Sequence, residues 1–171
     1  MRRAYRAKVV ACALVCAAAA IIPGCYQGTE PLTAAASGSV DARLDGDWRC
    51  IRDDNDGLVT LSIRAHDTRR HDVRLRVPDE DDDRYIAHVS RVGETTIANV
   101  QELRDGQPAG KWVYVRYRLL REGVLDLSLV SEDKLKSAQD PRGALDEIRA
   151  RAADEQLYEN LLVCLRATPA R

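Results

Sequence analysis

The stretch His71–Val77, HDVRLRV, alternates apolar and charged side chains with a period of two. The apolar residues at 73, 75 and 77 share one face of an extended chain, and the charged residues at 72, 74 and 76 share the other. Such alternation is typical of a strand with one face in a core and the other in water. We therefore predict a β-strand here, and the pattern can be followed in both directions along the chain.

Seven further segments have strand character and are separated mostly by short turns rich in Gly, Asp or Asn. Short connections and one-sided burial predict an antiparallel meander, so the expected fold class is mainly β. The segments are Asp47–Arg52, Leu58–Ala65, Arg84–Val92, Thr95–Leu103, Trp112–Leu119, Val124–Val130 and Leu161–Arg166.

One helix is predicted before the last strand. Asp140 and Pro141 form a favourable N-cap and first helical position, and the pattern continues to about Tyr158. Leu145, Ile148 and Ala152 would form the apolar stripe of this helix.

The five cysteines divide into groups with different expected roles. Two lie near the N-terminus and Cys25 follows them, which leaves Cys50 and Cys164 in the folded part of the chain. An even pair in an exported domain predicts a disulfide, and two buried free thiols are the alternative. If the first and last strands lie side by side, this bond would fasten the closure of a barrel.

The N-terminus has the features of an export signal. Four basic residues lie among the first eight, and Val9–Ile22 is an uncharged run of about 14 residues, too short to span a bilayer. The run ends in Ile22-Pro23-Gly24-Cys25, which resembles the lipobox of bacterial lipoproteins. The resemblance implies removal of residues 1–24, lipidation of Cys25 and anchoring in a membrane, and an ordinary secretory signal is the alternative. By the same resemblance, Tyr26 in place of Asp after the cysteine permits sorting to an outer membrane, and the protein is then expected to face the periplasm.

Residues 25–43 are predicted to form a flexible tether, since they are rich in Gly, Ala, Ser, Thr and Pro and have no periodicity. The folded domain is then expected over residues 44–171. Its first strand begins with Gly46-Asp47-Trp48, which resembles the G-x-W signature of lipocalin-like (calycin) barrels. That resemblance implies an eight-stranded barrel with Trp48 plugging one end. The stretch Tyr85–Asn99 resembles small uncharacterised bacterial lipoproteins, which implies a fold but no activity.

Charge and motifs exclude several functions. The chain has 26 basic and 27 acidic residues, and loss of the four basic residues of the export signal leaves 22 and 27, a net charge of −5. This disfavours nucleic acid as a partner. The sequence contains no Gly-x-Ser-x-Gly, CxxC or HExxH pattern and no phosphate-binding glycine loop. We therefore expect no catalytic residues, no metal site and no cofactor.

Ligand contacts are expected at Trp48, His88 and Tyr117. His88 is predicted to share a strand face with Ile86 and Val92, and Tyr117 to share one with Val115 and Leu119. A hydrogen-bonded structural role is the alternative for His88, and the better supported one. His66 and His71 flank a turn that contains two arginines, so we interpret them as part of a solvated loop. The acidic runs at 53–56 and 79–83 lack the spacing of an EF-hand and are interpreted as solvated hairpin tips.

These features lead to an expectation about function. The expected protein is a lipid-anchored, non-enzymatic β-barrel of the cell envelope that binds a small apolar ligand or an envelope component. The alternative is an interaction or inhibitor module acting on an envelope hydrolase or assembly partner. In that case the acidic loop at Asp79–Asp83 would suit a basic target.

Overall fold

A computed structural model describes residues 24–52, 57–121 and 123–167. They form one antiparallel sheet of nine strands and a single α-helix, α1, at Pro141–Ala150. The strands are β1 Gln27–Gly28, β2 Gly46–Arg52, β3 Leu58–Ala65, β4 His71–Arg76, β5 Asp83–Val92, β6 Thr95–Arg104, β7 Gln107–Arg121, β8 Val124–Val130 and β9 Tyr158–Arg166.

Strands β2 to β9 close into an eight-stranded barrel. Each strand from β2 to β8 is antiparallel to the next, and β9 pairs with both β8 and β2. The prediction of a mainly β meander barrel with one helix before the last strand is confirmed. This architecture is consistent with a lipocalin-like fold.

The closing seam carries the predicted disulfide. Cys50 of β2 lies directly opposite Cys164 of β9 in the register, and the two sulfur atoms are bonded. The bond is fully buried and links positions 114 residues apart in the chain. The prediction of this disulfide is confirmed.

The barrel interior is filled by side chains. Inward-facing residues from all eight strands pack into one contiguous apolar cluster, as the alternation of each strand predicts. Its buried members include Trp48, Val59, Leu61, Ile63, Val89, Val115, Tyr117, Leu125, Leu127, Leu129 and Leu162.

A second core lies outside the barrel, on the outer faces of β5 to β8. Helix α1 contributes Leu145 and Ile148, and Ala152 just beyond its end is also buried there. The N-terminal segment contributes Tyr26 and Leu32. The predicted apolar stripe of the helix is therefore confirmed.

Helix α1 is shorter than predicted, since it ends at Ala150 and not near Tyr158. Arg151 leaves the helical conformation, and its guanidinium binds Asp154 and the carbonyl oxygen of Lys134. A 3-10 turn at Glu155–Leu157 follows, and β9 begins at Tyr158, three residues earlier than predicted. The chain turns back here because Tyr158 has to pair with the end of β8.

Residues 24–44 pack along the barrel, which differs from the predicted flexible tether. Strand β1 pairs with β7 where β7 extends beyond β8, and Ser39 bridges Val89 on β5. The buried Asn99 accepts a hydrogen bond from the backbone N–H of Leu32 at 2.7 Å. Periodicity does not reveal this segment because it is held by single anchors and backbone hydrogen bonds.

The predicted signal peptide at 1–24 falls almost entirely outside the described residues, as does the acidic run at 53–56. None of the helices in the described part of the chain has the length and apolar character needed to cross a membrane.

Candidate functional site

One end of the barrel is closed by the chain that enters β2. Trp48 is fully buried, and its indole N–H donates to the carbonyl oxygen of Leu44 at 2.9 Å. The guanidinium of Arg166 lies 4.3 Å from the centre of the indole ring, a distance at which the cation is attracted to the aromatic face. Trp48 therefore fills this end of the barrel and leaves no side-chain surface free for a ligand.

Polar groups complete the closed end next to Trp48. Tyr117 faces the interior, and its hydroxyl donates to Asp41 Oδ2 at 3.0 Å. Burial raises the pKa of the Tyr117 hydroxyl, so it remains a proton donor at neutral pH. Trp48 and Tyr117 lie in the same cluster, but as members of the packed core.

His71 belongs to this closed end and is not part of a solvated loop, which corrects the sequence interpretation. The side chain is buried, and Nε2 accepts a hydrogen bond from the backbone N–H of Asp41 at 3.2 Å. The other ring nitrogen, Nδ1, lies 3.4 Å from Asp45 Oδ1. Burial lowers the pKa of His71, so the neutral imidazole is favoured. The His71 ring therefore links residues 41–45, which cross the end of the barrel, to strand β4.

His88 lies on the outer face of β5, separate from Trp48 and Tyr117. Residues 33–38 cover it, and Nε2–H donates to the carbonyl oxygen of Thr33 at 2.9 Å. The ring meets Trp112 edge-on at 5.5 Å, and burial lowers its pKa. These contacts agree with the structural role weighed for His88, and they use the ring to hold the N-terminal segment.

Cys25 is folded against the barrel beside the end of β8. It bridges Ser131, and only 8% of its surface is exposed. Burial raises the pKa of its thiol to about 12, so the thiolate is disfavoured. Cys25 also lines an open surface pocket of about 280 Å³ together with Tyr26, Lys111 and Glu132. This pocket connects the region around the cysteine with solvent.

A second open pocket, of about 320 Å³, lies where four separate segments meet at the closed end of the barrel. We call it the Arg116 pocket. Its lining comes from the turn before β2, the β5–β6 hairpin, the second half of β7 and the segment after α1. The lining residues are Arg43, Glu94, Thr95, Thr96, Arg116, Tyr117, Arg118, Leu119, Ala153 and Glu155.

Neither Arg116 nor Glu155 was predicted from the sequence as a functional residue. Arg116 alternates with inward-facing residues of β7, so its side chain points outward, where a charged residue is ordinarily solvated. A signal was available, since Trp112 and Tyr114 share that outward face and indicate that it is covered. Which residues cover it depends on the path of the chain after α1.

An apolar patch is exposed on the outer face of β2, β3 and β9. Ile51 pairs directly with Leu58 on one side and with Val163 on the other, and more than half of the Ile51 and Leu58 surfaces are exposed. Leu165, two residues along β9, extends the patch. We call these four residues the β2–β9 patch. Contiguous apolar side chains on an outer sheet face are typical of interaction surfaces.

The acidic loop Asp79–Asp83 projects from the β4–β5 turn, as predicted. Asp82 pairs with Arg76 at 2.8 Å, and this contact lowers the pKa of Asp82. Asp79 has a positive φ of 66°, a conformation that Asp tolerates in turns. Asp79, Glu80 and Asp81 are exposed. The tip therefore presents negative charge to solvent.

Among residues 24–52, 57–121 and 123–167, no cluster of His, Cys, Asp or Glu has the arrangement of a metal site. Comparison with protein-family models, with curated proteins and with solved structures finds no match to this chain.

Proposed function

We propose that this protein is a lipid-anchored component of the cell envelope that acts by non-enzymatic binding of an envelope partner through its outer surface. The observation that carries the proposal is the filled barrel interior beside the exposed β2–β9 patch. Packed side chains leave little interior room for a ligand, whereas the patch offers apolar surface that water does not stabilise.

The anchor part of the proposal is supported by the N-terminal sequence. The basic start, the apolar run and Ile22-Pro23-Gly24-Cys25 resemble the signal peptide of bacterial lipoproteins. The disulfide agrees with export to an oxidising compartment. The pocket beside Cys25 supplies a route by which a lipid on its sulfur can leave the barrel surface.

Lipid anchoring is tested by metabolic labelling with a fatty-acid precursor and by fractionation of cells. Wild-type protein is expected to carry the label and to sediment with membranes, and Cys25→Ala is expected to lose both properties. Cys16→Ala serves as the matched control and should behave like wild type. Unlabelled wild-type protein in the soluble fraction would refute the anchor.

Surface binding is tested separately by crosslinking in the envelope. Ile51→Lys together with Val163→Lys places charge in the β2–β9 patch at exposed, directly paired positions. The double variant should fold normally and lose a specific crosslinked partner that wild type retains. If the partner persists, the patch is not the binding surface.

A protein-interaction or inhibitor role for the acidic loop is a second candidate, favoured by its exposed charge. Changing Asp79, Glu80 and Asp81 to Asn, Gln and Asn should then abolish binding of a basic partner without affecting the patch.

A third version is the binding of a small apolar ligand. It predicts that a fluorescent fatty acid binds the purified domain saturably. The filled interior gives that third version less support.

A further inference from the structure

The Arg116 pocket contains a buried cation with incomplete hydrogen bonding. Only 6% of the Arg116 side chain is exposed, and its guanidinium stacks 4.0 Å from the centre of the Tyr158 ring. Among the described residues, its Nε has no hydrogen-bond partner. A buried charge is costly unless anions and acceptors compensate it, so this arginine has capacity for a further acceptor.

In this pocket one carboxylate accepts hydrogen bonds from two guanidinium groups. Glu155 Oε2 accepts from Arg116 at 2.9 Å, and Oε1 accepts from Arg118 at 3.0 Å. The hydrogen bond from Arg116 lowers the pKa of Glu155, so the carboxylate is charged at neutral pH. The two arginines are thus arranged to receive the two oxygens of a single carboxylate.

The Glu155 carboxylate is held by these two hydrogen bonds. Its side chain is 65% exposed, and the residue begins a 3-10 turn of three residues. Arg118 does not depend on it, because Asp126 also accepts two hydrogen bonds from Arg118. Departure of Glu155 alone would leave Arg116 buried without an anion, which is costly, so the exposed carboxylate leaves its place only as another carboxylate enters it.

We propose that the Arg116 pocket binds a small monocarboxylate, whose carboxylate replaces that of Glu155 between Arg116 and Arg118. The pocket volume of about 320 Å³ suits a small molecule. Thr95 and Thr96 supply hydroxyl groups for the body of the ligand, and Leu119 supplies an apolar contact. This site is independent of the lipid anchor and of the β2–β9 patch.

Charge in the pocket selects a monoanion. Glu94 also lines it, and a displaced Glu155 would remain nearby, so a phosphate dianion would meet two like charges. Arg43 offers little compensation because Asp41 already binds it through both carboxylate oxygens. We therefore assign the site to a carboxylate in preference to a phosphate group.

The test is a titration of the purified protein with sodium pentanoate, followed by the NMR signal of the Arg116 Nε–H group. The signal should shift saturably. Glu155→Gln removes the internal competitor but keeps the turn, and it should bind pentanoate about tenfold more tightly than wild type, the effect of one charge-assisted hydrogen bond. Glu94→Gln is the matched control. It removes one negative charge from the same pocket, and Glu94 pairs with neither Arg116 nor Arg118.

Three results would overturn the assignment. One is the absence of a saturable shift in Glu155→Gln when pentanoate is compared with sodium chloride at equal ionic strength. The second is an equal gain of affinity in Glu94→Gln, because only the general electrostatic field would then matter. The third is tighter binding of inorganic phosphate than of pentanoate, which would show that the pocket selects phosphate groups.

Discussion

Cys50 and Cys164 face each other across the seam at which the last strand of the barrel meets the first. The pair joins positions 114 residues apart, so the bond encloses nearly the whole barrel, from β2 to β9. From β2 to β8, neighbouring strands follow one another in the chain through short connections, and the longer segment that contains α1 joins β8 to β9. The β2–β9 pair lacks such a connection, and the disulfide takes its place.

Removal of this bond should lower the free energy of unfolding by about 4–5 kcal/mol, because a loop of this length is no longer constrained in the unfolded chain. Denaturant titration of Cys50→Ala would measure the loss. Cys164→Ala and the double variant serve as controls and should lose a similar amount, since either change breaks the same bond. Full stability in all three variants would contradict a disulfide at the seam.

Asn99 should control the attachment of the N-terminal segment. Its Oδ1 accepts from the N–H of Leu32, and its Nδ2 donates to Ser90 Oγ at 2.7 Å. Asn99→Leu leaves the N–H of Leu32 unpaired, at a cost of about 1–3 kcal/mol, whereas Ser90 Oγ keeps Thr33 Oγ1 as a partner. Hydrogen exchange should accelerate in residues 26–41 while the barrel strands stay protected. Gln101→Ala, an amide change on the same strand that should leave exchange unaltered, is the control.

Gly28 should tolerate no side chain. A Cβ built at this position collides with the hydroxyl of Tyr114, which donates to the carbonyl oxygen of Glu30. Gly28→Ala is therefore expected to destabilise the protein by about 1–3 kcal/mol through overpacking. Tyr114→Phe removes the clashing oxygen, so the double variant should lose less than the sum of the two single changes. Additive losses would show that the two residues do not collide.

Two buried histidines should make the protein less stable as the pH falls. Burial lowers the folded-state pKa of His71 and of His88, so unfolding takes up protons below the ordinary histidine pKa of about 6.5. Stability is fully present above that pH and should fall below it by up to about 1.4 kcal/mol per pH unit for each histidine. Denaturant unfolding from pH 7.5 to 5 would measure this slope.

The histidine variants separate these contributions. His71→Gln and His88→Gln should each flatten the slope, and the double variant should flatten it further. An equal slope in all three variants would assign the pH dependence to other groups.

The barrel was predictable because alternation is a local property of each strand. The HDVRLRV pattern of β4 is visible without knowledge of its neighbours, and the Cys50–Cys164 pair then identifies which strands meet at the seam. The outer layer was not predictable in the same way. Leu32 and Asn99 are 67 positions apart and show no shared pattern, since their contact is a single hydrogen bond.

The Arg116 pocket was also not predictable from the sequence. Its lining comes from four segments between Arg43 and Glu155, and none of these segments carries a motif. Arg116 differs from an ordinary outward-facing strand residue only because the segment after α1 folds over it. Such burial depends on tertiary packing, which periodicity does not report.

The packing of residues 24–44 along the barrel has a mechanical consequence. If Cys25 is fixed in a bilayer, a pull on the folded domain loads the Cys25–Ser131 bridge first, and then the β1–β7 pairing and the contacts of Leu32. These contacts would break one after another and release extended chain, while the covalent Cys50–Cys164 bond holds β2 and β9 together. We expect the N-terminal segment to detach and extend under tension, and to pack against the barrel again when the tension is released, before any barrel strand separates.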